Sequence, residues 1–243
     1  MKDVKNNIIK IEIEKIPKGI NHDPSFRAAS VYNAFSKDPD IGKIKENNKV
    51  ETDSLQEFIK LMPTGGVILD IGCGMGFETN YFQECGFKAY GIDISENKIK
   101  IAKELFPKCN FSVENLSDPN IFERYKLDGV YECLALMYLP KDTIEKVFKN
   151  IYENLSEGGL FQLTIEEDDG DKTGWHTVPT SKSFMFQGKE VYAVDFIYLS
   201  YFKLEEIISM LKKPNFEIVK ILKRKKDGII RPVRTILCRK HNY

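Results

Sequence analysis

Val67-Ile68-Leu69-Asp70-Ile71-Gly72-Cys73-Gly74-Met75-Gly76-Phe77 decides the fold. An apolar run of Val67, Ile68, Leu69 and Ile71 breaks into glycines at alternate positions and continues as Glu78-Thr-Asn-Tyr-Phe82. A continuous apolar run, unlike an alternation, suits a parallel strand buried on both faces. Gly72, Gly74 and Gly76 let the backbone turn sharply and approach a ligand, because a side chain there would block the approach. The stretch therefore predicts strand, turn and helix, with the turn as a cradle.

Two chemistries use such a turn. A dinucleotide fingerprint spaces its glycines G-x-G-x-x-G and sets a pyrophosphate at the helix N-terminus. With Gly72 and Gly74 in place the third glycine would fall at 77, and that residue is Phe77. Asp70 at the strand end would repel a pyrophosphate and suit a ligand bearing an ammonium. The spacing Asp70-x-Gly72-x-Gly74-x-Gly76 resembles the first motif of the Rossmann-like S-adenosylmethionine-dependent methyltransferases. The resemblance implies a ligand with an amino-acid end and a sulfonium but no phosphate, held by Asp70, Gly72, Cys73, Gly74 and Gly76.

Phe87 to Asp93 reads as a second strand ending in an acid, within the roughly 20-residue separation at which such an acid accepts from ribose hydroxyls. Ser95 to Phe106 follows as a capped amphipathic helix stopped by Pro107. The order Gly91-Ile-Asp93-Ile94-Ser95, with Ala102 beyond, resembles the family's second motif and adds Asp93 and Ile94 to the implied cofactor contacts. Asn110–Val113 is a short third strand. Where the family commonly carries an aspartate facing the adenine amino group, this chain has Asn115, followed by Leu116. An amide oxygen accepts the same hydrogen bond, and Asp118, before Pro119, is the alternative acid. Lys126 to Pro140 resembles the family's fourth strand and the loop after it, which places Glu132 and the following carbonyls beside the methionine end. The Asn/Asp-Pro-Pro-aromatic motif of many exocyclic-amine nucleobase methyltransferases is absent: the positions read Glu132, Cys133, Leu134 and Ala135. That argues against base methylation of nucleic acids.

Asp142 is positioned to cap a helix with Ile144, Val147, Phe148, Ile151 and Leu155 on one face, ended by Gly158-Gly159. Leu160–Ile165 predicts a fifth strand and Lys203–Lys213 a helix. Phe216–Leu222 and Val233–Cys238 predict strands paired antiparallel through an Asp227-Gly228 turn. Ahead of the glycine turn, Ile9, Ile11 and Ile13 alternate with charged residues as a half-exposed strand, residues 25 to 36 look helical, and Ser54 with Glu57 forms a capping-box pattern for a second helix. The resemblance implies that residues 1–63 are an N-terminal extension and cofactor cover, where Tyr32 is the residue to watch, and that 64–243 form the methyltransferase domain. The expected fold is α/β: a Rossmann-like seven-stranded, mostly parallel sheet with an antiparallel C-terminal hairpin, helices on both faces and an N-terminal helical cover.

Lys+Arg and Asp+Glu are equal at 36 each, so no global charge points to nucleic acid or to a membrane. The five cysteines are scattered and form no C-x-x-C pair, so neither a disulfide framework nor a zinc site is indicated. No apolar run approaches a membrane span and the N-terminus lacks a signal-peptide core, which points to the cytosol. The segment 166–202, with its run Glu166 to Asp171 and many aromatics, leaves the fifth strand on the side where open α/β sheets bind ligands. It is expected to form the substrate pocket. His176, in Gly174-Trp-His-Thr177, is the histidine placed where a methyl acceptor would meet it, and an imidazole titrates near enough to neutrality to serve as a general base. The alternative is an exposed loop residue. The implied function is an S-adenosylmethionine-dependent methyltransferase acting on a small-molecule O or N acceptor. The rivals are an RNA or protein methyltransferase and a catalytically silent cofactor-binding domain.

Overall fold

The computed structural model describes residues 23–35, 50, 52–168, 170, 173–186, 189–224 and 232–241. The strand expected over Ile9–Ile13 and the Asp227-Gly228 turn lie outside the described residues.

Helices α1 (Pro24–Phe35) and α2 (Thr52–Leu61) precede β1 (Val67–Ile71), α3 (Phe77–Glu84), β2 (Lys88–Asp93), α4 (Glu96–Leu105) and β3 (Asn110–Val113). Then come β4 (Leu127–Glu132), α5 (Lys141–Asn154), β5 (Leu155–Glu166), β6 (Gly174–Phe186), β7 (Lys189–Leu199), α6 (Leu204–Lys212), β8 (Phe216–Arg224) and β9 (Val233–Lys240). Seven strands form one sheet in the order β3-β2-β1-β4-β5-β9-β8. Its members pair in parallel from β3 to β5, and β9 runs antiparallel between β5 and β8. The expected architecture is therefore present.

The period of two along β1 explains why a continuous apolar run was needed. Leu69 and Ile71 face a core built with Phe122, Phe148, Phe161 and Ile207, while Ile68 faces a second core with Leu55, Phe58, Phe82 and Tyr131. Helices α5 and α6 cover the first face, and α2 and α3 cover the second. On α5, Ile144, Val147, Phe148 and Ile151 are buried at helical spacing.

Three local expectations are corrected. Helix α2 begins at Thr52, so Ser54 is a buried position inside its first turn and not its cap. Helix α5 begins at Lys141 with Pro140 at the cap position, so Asp142 lies in the first turn, where its charge complements the helix dipole. Helix α5 stops at Asn154, and Gly158-Gly159 fall inside β5, in the register shift between its pairings at Leu155 and Leu160. Gly158 has φ 73 there, so the bulge takes the glycine the helix end was expected to use.

Segment 166–202 is ordered largely as an antiparallel hairpin, β6 with β7, separate from the main sheet. Its root is tied to the loop after β4: Ser200 N donates to Met137 O and Ser200 Oγ to Leu139 O, each at 2.7 Å.

Candidate active site

The site starts where β1 runs out. The amides of Gly72 and Cys73 both donate to Ile92 O, at 2.8 and 2.9 Å, which pins the glycine turn to the end of β2. A Cβ at Gly72 would meet Ala135 Cβ at 2.1 Å, so only glycine allows the turn to lie against the loop after β4. At Gly74, φ is +55 and a Cβ would meet nothing within 4 Å. That position faces open space.

Asp93 completes the turn. Its Oδ2 accepts from Gly74 N at 2.9 Å and its Oδ1 from Ser95 N at 2.8 Å. One carboxylate thereby fixes the glycine turn and the start of α4, whose cap Ser95 accepts from Lys98 N.

Beyond these turns lies a cavity. Of the residues expected at the cofactor, Tyr32, Gly72, Asp93, Ile94, Asn115 and Leu116 line it. Asn115 Oδ1 also accepts from Ser117 N at 3.0 Å. Asp118, the alternative acid, instead caps a short 3-10 helix by accepting from Asn120 N, and it is not on the cavity wall.

Asp70, Cys73, Gly74, Gly76 and Glu132 are not among the residues that line it. Glu132 is fully buried: its Oε1 accepts from Ala135 N at 2.6 Å and Leu136 N at 2.9 Å, and its Oε2 accepts from Thr164 N at 3.0 Å. It folds the loop after β4 back under the cavity, and that loop contributes Cys133, Leu134, Ala135, Tyr138 and Leu139 to the wall. Burial pushes the Glu132 carboxyl up to about 7, against the opposing pull of the three amides.

Helix α1 lies across the cavity, with Ser25, Ala28 and Tyr32 on one face, three and four residues apart. Its far end is held by Asn33, whose Oδ1 accepts from Ser95 Oγ at 2.7 Å and from Asn97 N at 3.2 Å. Its other flank reaches the hairpin: Arg27 pairs with Asp195 and donates to Phe196 O. Helix α2 does not touch the cavity; Leu55 and Phe58 bury it against the sheet.

Tyr32 meets Tyr138 edge to face with ring centroids 5.2 Å apart, and the ammonium of Lys98 lies 3.6 Å from the centre of the Tyr32 ring. Burial raises the pKa of both phenols, so both stay protonated near neutral pH. Sequence reading missed Lys98 and Tyr138. The only signal for Lys98 was a lysine in the first turn of a capped helix, where the dipole disfavours a cation. His176 is half-buried on β6 with its ring edge-on to Tyr201 at 5.7 Å, and it is not part of the cavity wall. Among the described residues no cluster of His, Cys, Asp and Glu could hold a metal ion, and no helix is long and apolar enough to cross a membrane.

A family model described as a methyltransferase domain matches residues 68–159. The chain is 28% identical over 142 residues to a probable S-adenosyl-L-methionine-dependent methyltransferase, TehB, of Haemophilus influenzae, covering 55% of this chain and 47% of that protein. It is 26% identical over 145 residues to the 18S rRNA (guanine-N(7))-methyltransferase bud23 of Schizosaccharomyces pombe, covering 51% of this chain and 52% of that one. The chain thus spans about half the length of these curated relatives. In fold it matches the Burkholderia thailandensis 1,6-didemethyltoxoflavin-N1-methyltransferase, solved with 1,6-didemethyltoxoflavin and S-adenosylhomocysteine, at a TM-score of 0.63 and 16% identity over 96% of this chain and 94% of that one. The methyltransferase-domain match runs from β1 into β5, and the fold shared beyond it is that of the Rossmann-like methyltransferases, so residues 68–159 carry a methyltransferase domain of the S-adenosylmethionine-dependent kind.

Proposed function

We propose that this chain transfers the methyl group of S-adenosylmethionine to an O or N atom of a small molecule bound in the cavity under α1. The observation that carries the reading is the cover: α1 spans from Ser95 and Asn97 on the sheet side to Asp195 and Phe196 on the hairpin. A site roofed this way suits a small acceptor better than a duplex or a folded protein. On this reading residues 64–243 are the methyltransferase domain, segment 166–202 walls the substrate side, and α1 within residues 1–63 is the cover.

The residues divide by position. Asp93, held by two amides and still on the cavity wall, would accept from the ribose hydroxyls. Ile94, Asn115 and Leu116 would border the adenine. Gly72, the open space at Gly74 and the loop from Cys133 to Ala135 would border the methionine end. When bound, S-adenosylmethionine would supply an electrophilic sulfonium methyl, and the acceptor's lone pair would displace neutral S-adenosylhomocysteine from that carbon in line. Such a step is accelerated chiefly by alignment and exclusion of water, with a base needed only when the acceptor must lose a proton. Tyr32 and Tyr138, kept protonated, act as hydrogen-bond donors and not as bases. Five free thiols, Cys73, Cys85, Cys109, Cys133 and Cys238, suit a reducing compartment such as the cytosol.

Transfer of labelled methyl from S-adenosylmethionine to a metabolite extract and, separately, to total RNA tests the proposal. Label in small molecules is expected. Label in RNA alone would replace the reading with the activity named for the ribosomal RNA relative, and no transfer with intact S-adenosylhomocysteine binding would make this a silent cofactor-binding domain.

A further inference from the structure

Resting on that reading, we propose that Lys98, with the hydroxyls of Tyr32 and Tyr138, forms a seat for a carboxylate or phosphate carried by the methyl acceptor. Among the described residues Lys98 is the one cation lining the cavity, and it sits where a cation is least favoured twice over. It occupies the first turn of α4, at the positive end of the helix dipole. Burial also costs its ammonium hydration, which lowers its pKa.

The protein itself gives little back for this placement. Asp93, the acid that acts on Lys98 most strongly, has both oxygens engaged by the amides of Gly74 and Ser95. Glu114, the other acid on the wall, pairs with Arg124 at 2.6 Å. Among the described residues Lys98 forms no ion pair, and its close contact is the face of Tyr32. A cation kept at such a cost is explained by a charge that arrives with a ligand.

The neighbouring phenols suit the same ligand. Tyr32 and Tyr138 both line the cavity, and burial keeps both phenols protonated and able to donate. Two protonated phenols and an ammonium around one cavity can each donate to an anion. The sulfonium and the Lys98 ammonium would repel each other, and an anionic acceptor between them offsets that repulsion.

The source of the anion is decided by calorimetry on the parent chain and on Lys98→Met, which removes a buried charge while keeping side-chain length. Benzoate, with benzamide as the neutral counterpart, is titrated into chain saturated with S-adenosylhomocysteine at constant ionic strength. Benzoate is expected to bind the parent about tenfold or more tighter than benzamide does, and Lys98→Met is expected to remove that preference while holding S-adenosylhomocysteine within about threefold of the parent. Equal binding of the two probes by the parent, or an unchanged preference in Lys98→Met, overturns the seat. If Lys98→Met instead weakens S-adenosylhomocysteine about tenfold but leaves 5′-methylthioadenosine, which lacks the amino-acid end, unaffected, the anion is the cofactor's own carboxylate and the acceptor assignment falls. Failure of the parent to bind S-adenosylhomocysteine at all would overturn the proposed function itself.

Discussion

The Thr79 hydroxyl donates to Asp70 Oδ2 across 2.6 Å, and both side chains are buried. The acid whose place in the sequence suits a ligand's ammonium is thus engaged behind the glycine turn, where it ties α3 to β1. Burial, followed by the charge of Glu78, holds its carboxyl well above the usual range. Thr79→Val keeps the shape and leaves Asp70 without that donor, so the chain should lose about 1–3 kcal/mol of stability in urea unfolding. S-adenosylhomocysteine affinity should change little; a large loss of affinity at unchanged stability would return Asp70 to the cofactor.

Gly74 and Gly76 share a left-handed backbone but differ in surroundings. A Cβ at Gly74 meets open space, whereas one at Gly76 meets Phe111 Cζ at 2.5 Å. Each alanine variant loses about 1–2 kcal/mol to the left-handed conformation. Gly76→Ala should lose about 1–3 kcal/mol more to overpacking against Phe111. Gly74→Ala should keep the better fold and show the greater loss of S-adenosylhomocysteine affinity. Calorimetry and urea midpoints on both variants separate the two effects, and the reverse order would show that the open space is not where the ligand lies.

What the sequence made legible was local. Strand, glycine turn and the acid closing β2 follow from residues adjacent in the chain, and Asn115 followed from its distance beyond β3. The other half of the cavity depends on approach between distant segments: Ala135 abuts Gly72, and α1 reaches both Ser95 and Asp195. No periodicity encodes such meetings. Glu132 illustrates the limit, because its position at the end of β4 was legible but its direction was not. Three amides turn it inward only once the loop has folded back to Leu136.

Glu132 also gives the fold a pH dependence. Its folded value is raised to about 7 from an ordinary carboxyl value of 4.5, so the folded chain binds a proton that the unfolded chain has released. The stability this contributes is fully present below the unfolded value and is lost as pH rises through about 7, a difference on the order of 3 kcal/mol. The burial-driven rise at Asp70 acts in the same direction. Urea midpoints between pH 5 and pH 8 should fall for the parent and fall less for Glu132→Gln. That variant should be less stable throughout, since its amide nitrogen sets a donor against Thr164 N or the Ala135 amide. Parallel slopes in the two proteins would place the titration elsewhere.

Asn33 is the latch of α1. Asn33→Ala removes the acceptor used by Ser95 Oγ and Asn97 N and leaves the backbone bond from Asn97 Nδ2 to Asn33 O at 2.8 Å. The variant loses two of the three hydrogen bonds at this end of the cover, about 1 kcal/mol each, so release of S-adenosylhomocysteine in stopped-flow should quicken roughly tenfold with the core unchanged. An unaltered release rate would mean that the cofactor leaves by a route α1 does not gate.

His176 remains the side chain on which an acid–base role can be tested directly. Its strand pairs it with Ile197 and its ring packs edge-on to Tyr201, and neither His176 nor Tyr201 is among the residues that line the cavity. A general base must come within hydrogen-bond reach of the proton it removes, directly or through one water. The ring is not on the cavity wall, so it meets that requirement only if the acceptor reaches beyond the wall or the hairpin shifts when the acceptor binds. We therefore expect His176→Ala to lower turnover only a few-fold, with S-adenosylhomocysteine affinity unchanged and with the pH profile of kcat retaining its shape. A loss on the order of a hundredfold or more, the usual contribution of a positioned base, together with loss of the acidic limb of that profile, would assign the proton transfer to His176. With neither change, alignment of acceptor and sulfonium under α1 accounts for the rate, and the acceptor is one that attacks without first losing a proton or arrives already deprotonated.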